Sequence, residues 1–402
     1  MSKINDLIKE LCPKGVEYKQ LQEIANTFIG LATSVTKHKS SDGVILLHNS
    51  DIKQNKIVLK NVEFIDKDFA DKNINKYYQF HDIATVHTGD VGTSAVIEKE
   101  YVGSMGFTTL VTRIYDFNYI NPYYLCHYFN SQLFKNDVAK VTISDRSNLN
   151  QKEFCQLFIP VPPLEVQEEI VRILDKFDEL EAELEAELEA RKSQYEFWRG
   201  KLLNAGNYNQ QYITLGDIGK VCMCKRIMKN ETSDSGDVPF YKIGTFGKQA
   251  DAYISYDIFN DYKKRFSYPK KGEILVSCSG TIGRSVVFDG EDAYFQDSNI
   301  VWLSNDESKV LNKFLYYFYQ TSPWNISDGG TIKRLYNNQF ISAKVPLYSL
   351  EEQKKIVNIL ERFDELINDI TIGLPAEIEL RRKQYEYYRN KLLSFEELNV
   401  SE

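Results

Sequence analysis

The sequence is poor in the residues that build metal and redox centres: 402 residues hold 5 histidines, 6 cysteines and 4 methionines. Cys12, Cys126, Cys155, Cys222, Cys224 and Cys278 are scattered through a large chain, a pattern of free thiols in a reducing compartment rather than a disulfide framework. Cys222-Met-Cys224 lacks the second pair that would complete a zinc site. The histidines are dispersed and no carboxylates cluster at metal-ligand spacing, so no nuclease centre is legible. Catalytic residues, cofactors and bound metal are therefore all expected to be absent. Nor does any run approach the 18 or so apolar residues of a membrane span. The opening MSKINDLIKELCPKG lacks the apolar core and small-residue cleavage site of a signal peptide. A cytoplasmic chain with no membrane partner is expected.

What is present is unevenly charged. The net charge is −8, which by itself argues against nucleic acid. Leu164 to Leu203, however, holds twelve acidic and six basic residues, and the tail from Phe395 adds three more negative charges. With Leu350 to Ser394 at −1, the remaining sequence is left at +2. Mildly basic domains attached to an acidic helix are compatible with DNA binding.

The chain is written twice. PVPPLEVQEEIVRILDKFDEL (Pro160–Leu180) aligns without a gap on PLYSLEEQKKIVNILERFDEL (Pro346–Leu366). RKSQYEFWRGKLL (Arg191–Leu203) aligns on RRKQYEYYRNKLL (Arg381–Leu393). More faintly, HDIATVHTGDVGTSAVI (His81–Ile97) lies over GEILVSCSGTIGRSVVF (Gly272–Phe288), with Gly89 and Gly92 on Gly280 and Gly283. Each reads as strand, glycine turn, strand. Asn121–Phe134 and Leu311–Thr321 read as helices. The repeated layout is domain, long helix, domain, long helix.

The aligned blocks carry apolar residues at spacings of three and four, the mark of a helix. Leu164 to Leu203 would run for roughly 60 Å at about 1.5 Å per residue. Within it, ELEAELEAELEA (Glu179–Ala190) repeats one four-residue unit three times. Phe177, Leu180, Leu184 and Leu188 keep one apolar stripe towards a partner helix, which the second long helix supplies. Gly373-Leu-Pro375 is expected to interrupt that partner, because proline lacks a donor and clashes with the preceding turn. Tyr195, Phe197 and Trp198, mirrored by Tyr385, Tyr387 and Tyr388, are expected to pack at the rod's far end, with a docking patch for a partner protein as the alternative.

These motifs, from INDLIKELCPKGVEYKQLQEI through the paired blocks to GLPAEIELRRKQYEYYRNKLL, resemble the DNA-specificity subunits of Type I restriction–modification systems. The resemblance runs from about Ile4 to Phe395. It implies an α+β chain of two duplicated mixed α/β target-recognition domains, separated by two long antiparallel helices that form a coiled-coil-like spacer. The boundaries expected are 1–158 for the first recognition domain and 159–204 for the central helix. The second domain then covers 205–344, the C-terminal helix 345–395 and a tail 396–402. The resemblance further implies that each domain reads one half of a split site in double-stranded DNA. Two adenine methyltransferase subunits and motor–nuclease subunits are the implied partners, and they carry the chemistry. Related members have a four-residue repeat where ELEA stands, and its copy number is thought to tune the gap between half-sites. ELEA is more acidic than their threonine-containing repeats, so phosphate would repel this face.

Base reading needs donors and acceptors for the groove edges, with cationic and hydroxyl side chains on the phosphates. The first domain offers Lys37, His38, Lys39, Ser40 and Ser41, the turn residues His87, Thr88, Asp90 and Thr93, and the loop residues Arg146, Ser147 and Asn148. The second offers Lys225, Arg226, Lys263, Lys264 and Arg265, the turn residues Ser277, Ser279, Thr281 and Arg284, and then Lys333 and Arg334. Arg146 and Arg334 lead, because both precede the junction with the helix in their copy. Two rivals are weighed against this reading. Asn121-Pro-Tyr-Tyr124 resembles the Asn-Pro-Pro-Tyr motif of amino-methyltransferases, but the second proline and a glycine-rich cofactor loop are missing. An asparagine cap followed by proline explains it more simply. A coiled-coil adaptor that binds only protein is the other rival, and DNA binding that weakens with salt separates the two.

Overall fold

The computed structural model describes all residues except 1, 33, 142–147, 204–209, 327–332, 370 and 399–402. The chain divides into two compact units, Met1–Glu185 with Glu377–Glu402, and Ala186–Ala376. Five helices matter below: α1 (Pro122–Phe129), α2 (Leu164–Leu203), α3 (Asn312–Gln320), α4 (Leu350–Asn368) and α5 (Leu374–Leu393).

The first unit contains an antiparallel sheet in the order Ala25–Ile29, Thr109–Ile114, Ile83–Val86, Ser94–Val96. A second sheet holds the parallel pair Met105–Gly106 and Val44–Leu47. The strand entering the domain, Glu17–Gln20, pairs antiparallel with the strand leaving it, Phe158–Val161. The second unit repeats each arrangement. Its antiparallel sheet runs Gly219–Cys222, Ile300–Asn305, Ile274–Ser277, Ser285–Val287. Its parallel pair is Val238–Tyr241 with Tyr294–Phe295, and its entering and leaving strands are Tyr212–Thr214 and Lys344–Pro346. The duplication faint in sequence is explicit in strand order. The expected strand–glycine–strand segments are both antiparallel hairpins.

The glycines of those turns adopt conformations that side chains resist, with φ of +97° and +89° at Gly89 and Gly92 and +64° and +85° at Gly280 and Gly283. Asn121 caps α1: its Oδ1 accepts from the backbone N–H of Tyr123 (2.9 Å) and Tyr124 (3.3 Å), and Pro122 opens the helix. The methyltransferase-like tetrapeptide is thus a capping motif.

One buried glutamine ties each domain to its long helix. In the first unit Gln167 of α2 is wholly buried, accepts from Asn121 N–H (2.9 Å), and donates to the carbonyls of Tyr119 (3.0 Å) and Pro162 (2.8 Å). In the second unit Gln353 of α4 accepts from Leu311 N–H (2.8 Å) and donates to Lys309 (2.8 Å) and Tyr348 (3.0 Å). Beside Gln167, Val166, Ile170 and Leu174 face the core at spacings of four and are fully buried, worth about 1.5–3 kcal/mol each.

Each unit also closes an antiparallel helix pair with the same set of side chains. In the first, Phe177 of α2 stacks on Tyr385 of α5 at 5.6 Å. The Tyr385 hydroxyl donates to Asp178 Oδ2 (3.1 Å), and Arg389 lies over the Tyr385 ring at 5.0 Å. In the second, Tyr195 of α2 packs on Phe363 of α4 at 6.0 Å, with Arg199 over its ring at 5.1 Å. Burial, and then the neighbouring Asp178 or Asp364 carboxylate, raises the pKa of both phenols.

The predicted interruption is real: α4 ends at Asn368 and α5 begins at Leu374. A Cβ on Gly373 would lie 2.5 Å from the Glu365 carbonyl, so only glycine fits the turn. In the ELEA segment Leu180, Leu184 and Leu188 are half-buried and Glu179, Glu183 and Glu187 are exposed. Glu181 and Glu185 instead pair with Arg382 of α5, at 2.6 and 2.5 Å, so part of the acidic face is neutralised within the first unit. One expectation fails. Phe197 and Tyr387 are 62% and 60% exposed and join neither hydrophobic core. They lie two residues from buried Tyr195 and Tyr385, and a step of two at 3.6 residues per turn points to the other side of the helix.

Candidate nucleic-acid interface

In the first unit the residues proposed to meet DNA fall into two groups. Lys37 and Ser41 are exposed. His38 stacks on Phe69 at 3.8 Å with its Nδ1 3.2 Å from Asp66 Oδ2. Lys39 pairs with Glu63 (2.6 Å), and Ser40 donates to Asp42 (3.3 Å). The second group gathers at the glycine turn. His87 Nδ1 lies 2.8 Å from Thr88 Oγ1, and partial burial lowers the His87 pKa, so the ring is neutral near pH 7. Thr88 forms a β-bridge with Asn148, and Leu149 N–H donates to the His87 carbonyl at 3.1 Å. Asn148 Oδ1 is buried without a partner. The turn and the segment before α2, 60 residues apart in sequence, therefore meet. Asp90 accepts from Thr93 (2.7 Å), and Thr93 is buried, so these two hold the turn's shape. Arg146 and Ser147 lie outside the described residues.

The second unit builds the same junction from different side chains. Leu335 N–H donates to the Cys278 carbonyl at 2.8 Å, which sets Arg334 where Asn148 stands in the first unit. Ser277 is buried and its Oγ accepts from Arg284 N–H (3.0 Å), so it shapes the turn rather than facing outward. Arg284 reaches the Phe246 carbonyl (2.9 Å) and Thr281 Oγ1 (3.4 Å). Around this turn the loop Gln296–Asn299 collects three of the candidates. Arg226 pairs with Asp297 (3.0 Å), Arg334 donates to the Ser298 carbonyl (2.8 Å), and Ser279 donates to Asn299 Oδ1 (3.0 Å). Ser298 holds φ at +54°, a conformation side chains rarely adopt. A cavity of 470 Å³ borders this loop, lined among others by Arg226, Lys229, Thr232, Lys242, Gln296 and Asn299.

Other candidates sit apart from that loop. Lys225 lies over Phe266 at 5.4 Å, and Lys263 pairs with Asp292 (3.0 Å) above the rings of Phe259 and Tyr268. Arg265 pairs with Asp261 (2.7 Å), while Lys264 and Lys333 are exposed. Sequence reasoning missed the loop itself. Its signal was available: Gln-Asp-Ser-Asn is a polar turn-forming tetrapeptide between the apolar strands Tyr294–Phe295 and Ile300–Asn305.

A chain that builds one fold twice, and edges the same turn of each copy with different polar side chains, has the organisation of a duplicated recognition protein. Residues 13–190 and 208–380 match the Type I restriction modification DNA specificity domain, and the chain belongs to that family. It is 53% identical over 284 residues to a putative type I restriction enzyme specificity subunit of Haemophilus influenzae, covering 69% of this chain and 73% of the relative. It is 33% identical over 270 residues to the EcoR124I/EcoR124II specificity subunit of Escherichia coli, covering 62% of this chain and 65% of that one. Among solved structures, a chain from a study of complex assembly and conformational transition in the type I R-M system matches with a TM-score of 0.63 at 16% identity. That match covers 95% of this chain and 98% of the other. The HsdS subunit from Thermoanaerobacter tengcongensis matches at 0.51 and 15% identity, covering 95% and 96%. The fold is accordingly the α+β duplication with long helices that the sequence implied. No helix among the described residues is long and apolar enough to cross a membrane.

Proposed function

We propose that this chain is the specificity subunit of a Type I restriction–modification complex in the cytoplasm, reading a bipartite site in double-stranded DNA with one recognition domain per half-site. The observation that carries the reading is the pair of equivalent junctions. The frame is common, Leu149 on His87 and Leu335 on Cys278, whereas the polar groups at the junction differ, with Thr88 and Asn148 in one unit and Ser279 and Arg334 in the other. Asparagine suits adenine and arginine suits guanine or phosphate, so one frame with two polar sets serves two different half-sites.

The chain supplies specificity and no chemistry; methyltransferase subunits modify adenine, and motor–nuclease subunits join them. Two equivalent aromatic patches on the long helices, each with one exposed ring, Phe197 or Tyr387, suit the recruitment of two methyltransferase subunits. Phe197 and Trp198 meet edge to face at 5.5 Å with Lys201 over both rings, and Tyr387 and Tyr388 meet at 5.3 Å with Lys391 over Tyr387. The ELEA units set the gap between half-sites. Each adds about 6 Å of helix against roughly 3.4 Å per base pair.

A single-molecule methylome of a methyl-free host expressing the chain with its methyltransferase tests the proposal. The expected result is a split adenine-methylated motif with a fixed gap, shortened by at most about two base pairs when Glu183–Ala186 is deleted. Arg334→Ala should relax only one half-site, by about 1–3 kcal/mol. A stable complex that adds no methylation, with no salt-dependent DNA binding by the chain, would favour the protein-only adaptor.

A further inference from the structure

We propose that His127, Asp175 and Asp178 form a binding site for one divalent transition cation of the zinc class, which clamps α1 to α2 within the first unit. His127 lies on α1 and is 2% exposed, and its Nε2 is 2.9 Å from Asp175 Oδ1. Asp178 follows Asp175 by three residues and shares its face of α2. One ligand atom from each of the three residues lies within 4.8 Å of the others. Imidazole nitrogen with carboxylate oxygens suits zinc and its neighbours, and paired side chains three apart on a facing helix are how helix bundles build metal sites.

The local charge calls for a cation. Two carboxylates flank one imidazole, and among the described residues no lysine or arginine forms an ion pair with either. His127 Nδ1 lies 3.2 Å from the donor Nδ2 of Asn55 and 3.3 Å from the Tyr385 hydroxyl, so here it accepts and the imidazole proton sits on Nε2 towards Asp175. An ion on Nε2 takes the place of that proton and moves it to Nδ1, where the Tyr385 hydroxyl can accept it once Asn55 turns away. That hydroxyl donates onward to Asp178 Oδ2, to which Asn55 also donates at 2.9 Å. Asp178 Oδ1 is left for the ion. Asp175, 53% exposed, opens the site to solvent, which can supply the remaining ligands as water.

The second unit provides an internal control. Tyr317, Glu361 and Asp364 stand at the matching positions. Tyr317 replaces the imidazole, and Glu361 is already paired with Lys313 at 2.6 Å. One ion per chain is therefore expected.

The test is titration of the full-length chain, stripped with a chelator, by Zn²⁺ in calorimetry and by Co²⁺ in absorption spectroscopy. The proposal expects one ion per chain, a Co²⁺ spectrum of nitrogen and oxygen ligands without a thiolate charge-transfer band, and an affinity lowered more than about tenfold in His127→Gln and in Asp175→Asn. Asp175→Asn is decisive, because a half-exposed carboxylate can be replaced by its amide without loss of the fold. Absence of stoichiometric binding, a thiolate band from the free cysteines, or unchanged affinity in Asp175→Asn would each overturn it.

Discussion

Replacing Gln353 with leucine tests whether one buried side chain holds the second domain to its helix. The residue is wholly buried and makes three hydrogen bonds to backbone groups, at 2.8, 2.8 and 3.0 Å. Leucine fills a similar volume but leaves the Leu311 N–H and the Lys309 and Tyr348 carbonyls without these partners. Each net bond is worth about 1 kcal/mol, and an orphaned buried group costs about 1–3 kcal/mol. The gain from burying leucine offsets about 1.5–3 kcal/mol of that total. The expected net loss is about 2–4 kcal/mol. Urea unfolding of the full chain would report it, and amide exchange at Leu311 would localise it to the start of α3. Gln167→Leu is the matched replicate, with the same loss read at Asn121. A loss below about 1 kcal/mol, with Leu311 still protected, would refute the claim that the glutamine is the tie.

Gly283→Ala should cost more than Gly89→Ala, although both have positive φ: the new Cβ at Gly283 meets Trp324 Nε1 at 2.6 Å, whereas nothing lies within 4 Å of one at Gly89. Left-handed strain alone is about 1–2 kcal/mol, so equal midpoints in thermal unfolding would contradict the clash. Glu169 is held down to about 2 by Arg172 and then Lys3. A lowered carboxylate pKa gives stability that is present above about pH 4.5 and lost as pH falls towards 2. Both partners are largely exposed, so the effect is about 1 kcal/mol. Glu169→Gln should flatten that limb of the stability–pH curve, and an unchanged slope between pH 4.5 and 2 would count against it. Phe197→Ala with Tyr387→Ala should weaken co-purification of the methyltransferase at least tenfold, in the range of interface anchors, without shifting the unfolding midpoint. Undiminished complex would remove these patches from the interface.

The parts of the fold legible in sequence were those fixed by local rules. Helical spacing marked α2, Gly373-Leu-Pro375 marked the break before α5, and Asn121-Pro122 marked the cap of α1. The duplication was legible because two blocks recur in order. What stayed hidden depends on contacts between distant segments. Phe197 and Tyr387 carry the composition of packed aromatics, and only the helix phase set by Tyr195 and Tyr385 turns them outward. The loop Gln296–Asn299 acquires its neighbours from residues 226, 279 and 334, a convergence that no spacing encodes. His127 stands 48 residues from Asp175, outside any short metal motif, so composition alone pointed away from the cluster. Half of the best-favoured pair, Arg146, lies outside the described residues.

The two units are not equally continuous. Ala186–Ala376 is a single stretch, whereas the first unit needs Glu377–Glu402 as well as its own first 185 residues. On the ribosome the amino-terminal unit is therefore translated first and completed last. Until α5 emerges, Phe177 and Asp178 lack Tyr385, and the apolar face of Ile170 and Leu174 lacks Leu392 and Leu393. Nascent chains expose such surfaces to aggregation, so chaperone demand during synthesis should fall on the half of the protein that is made first.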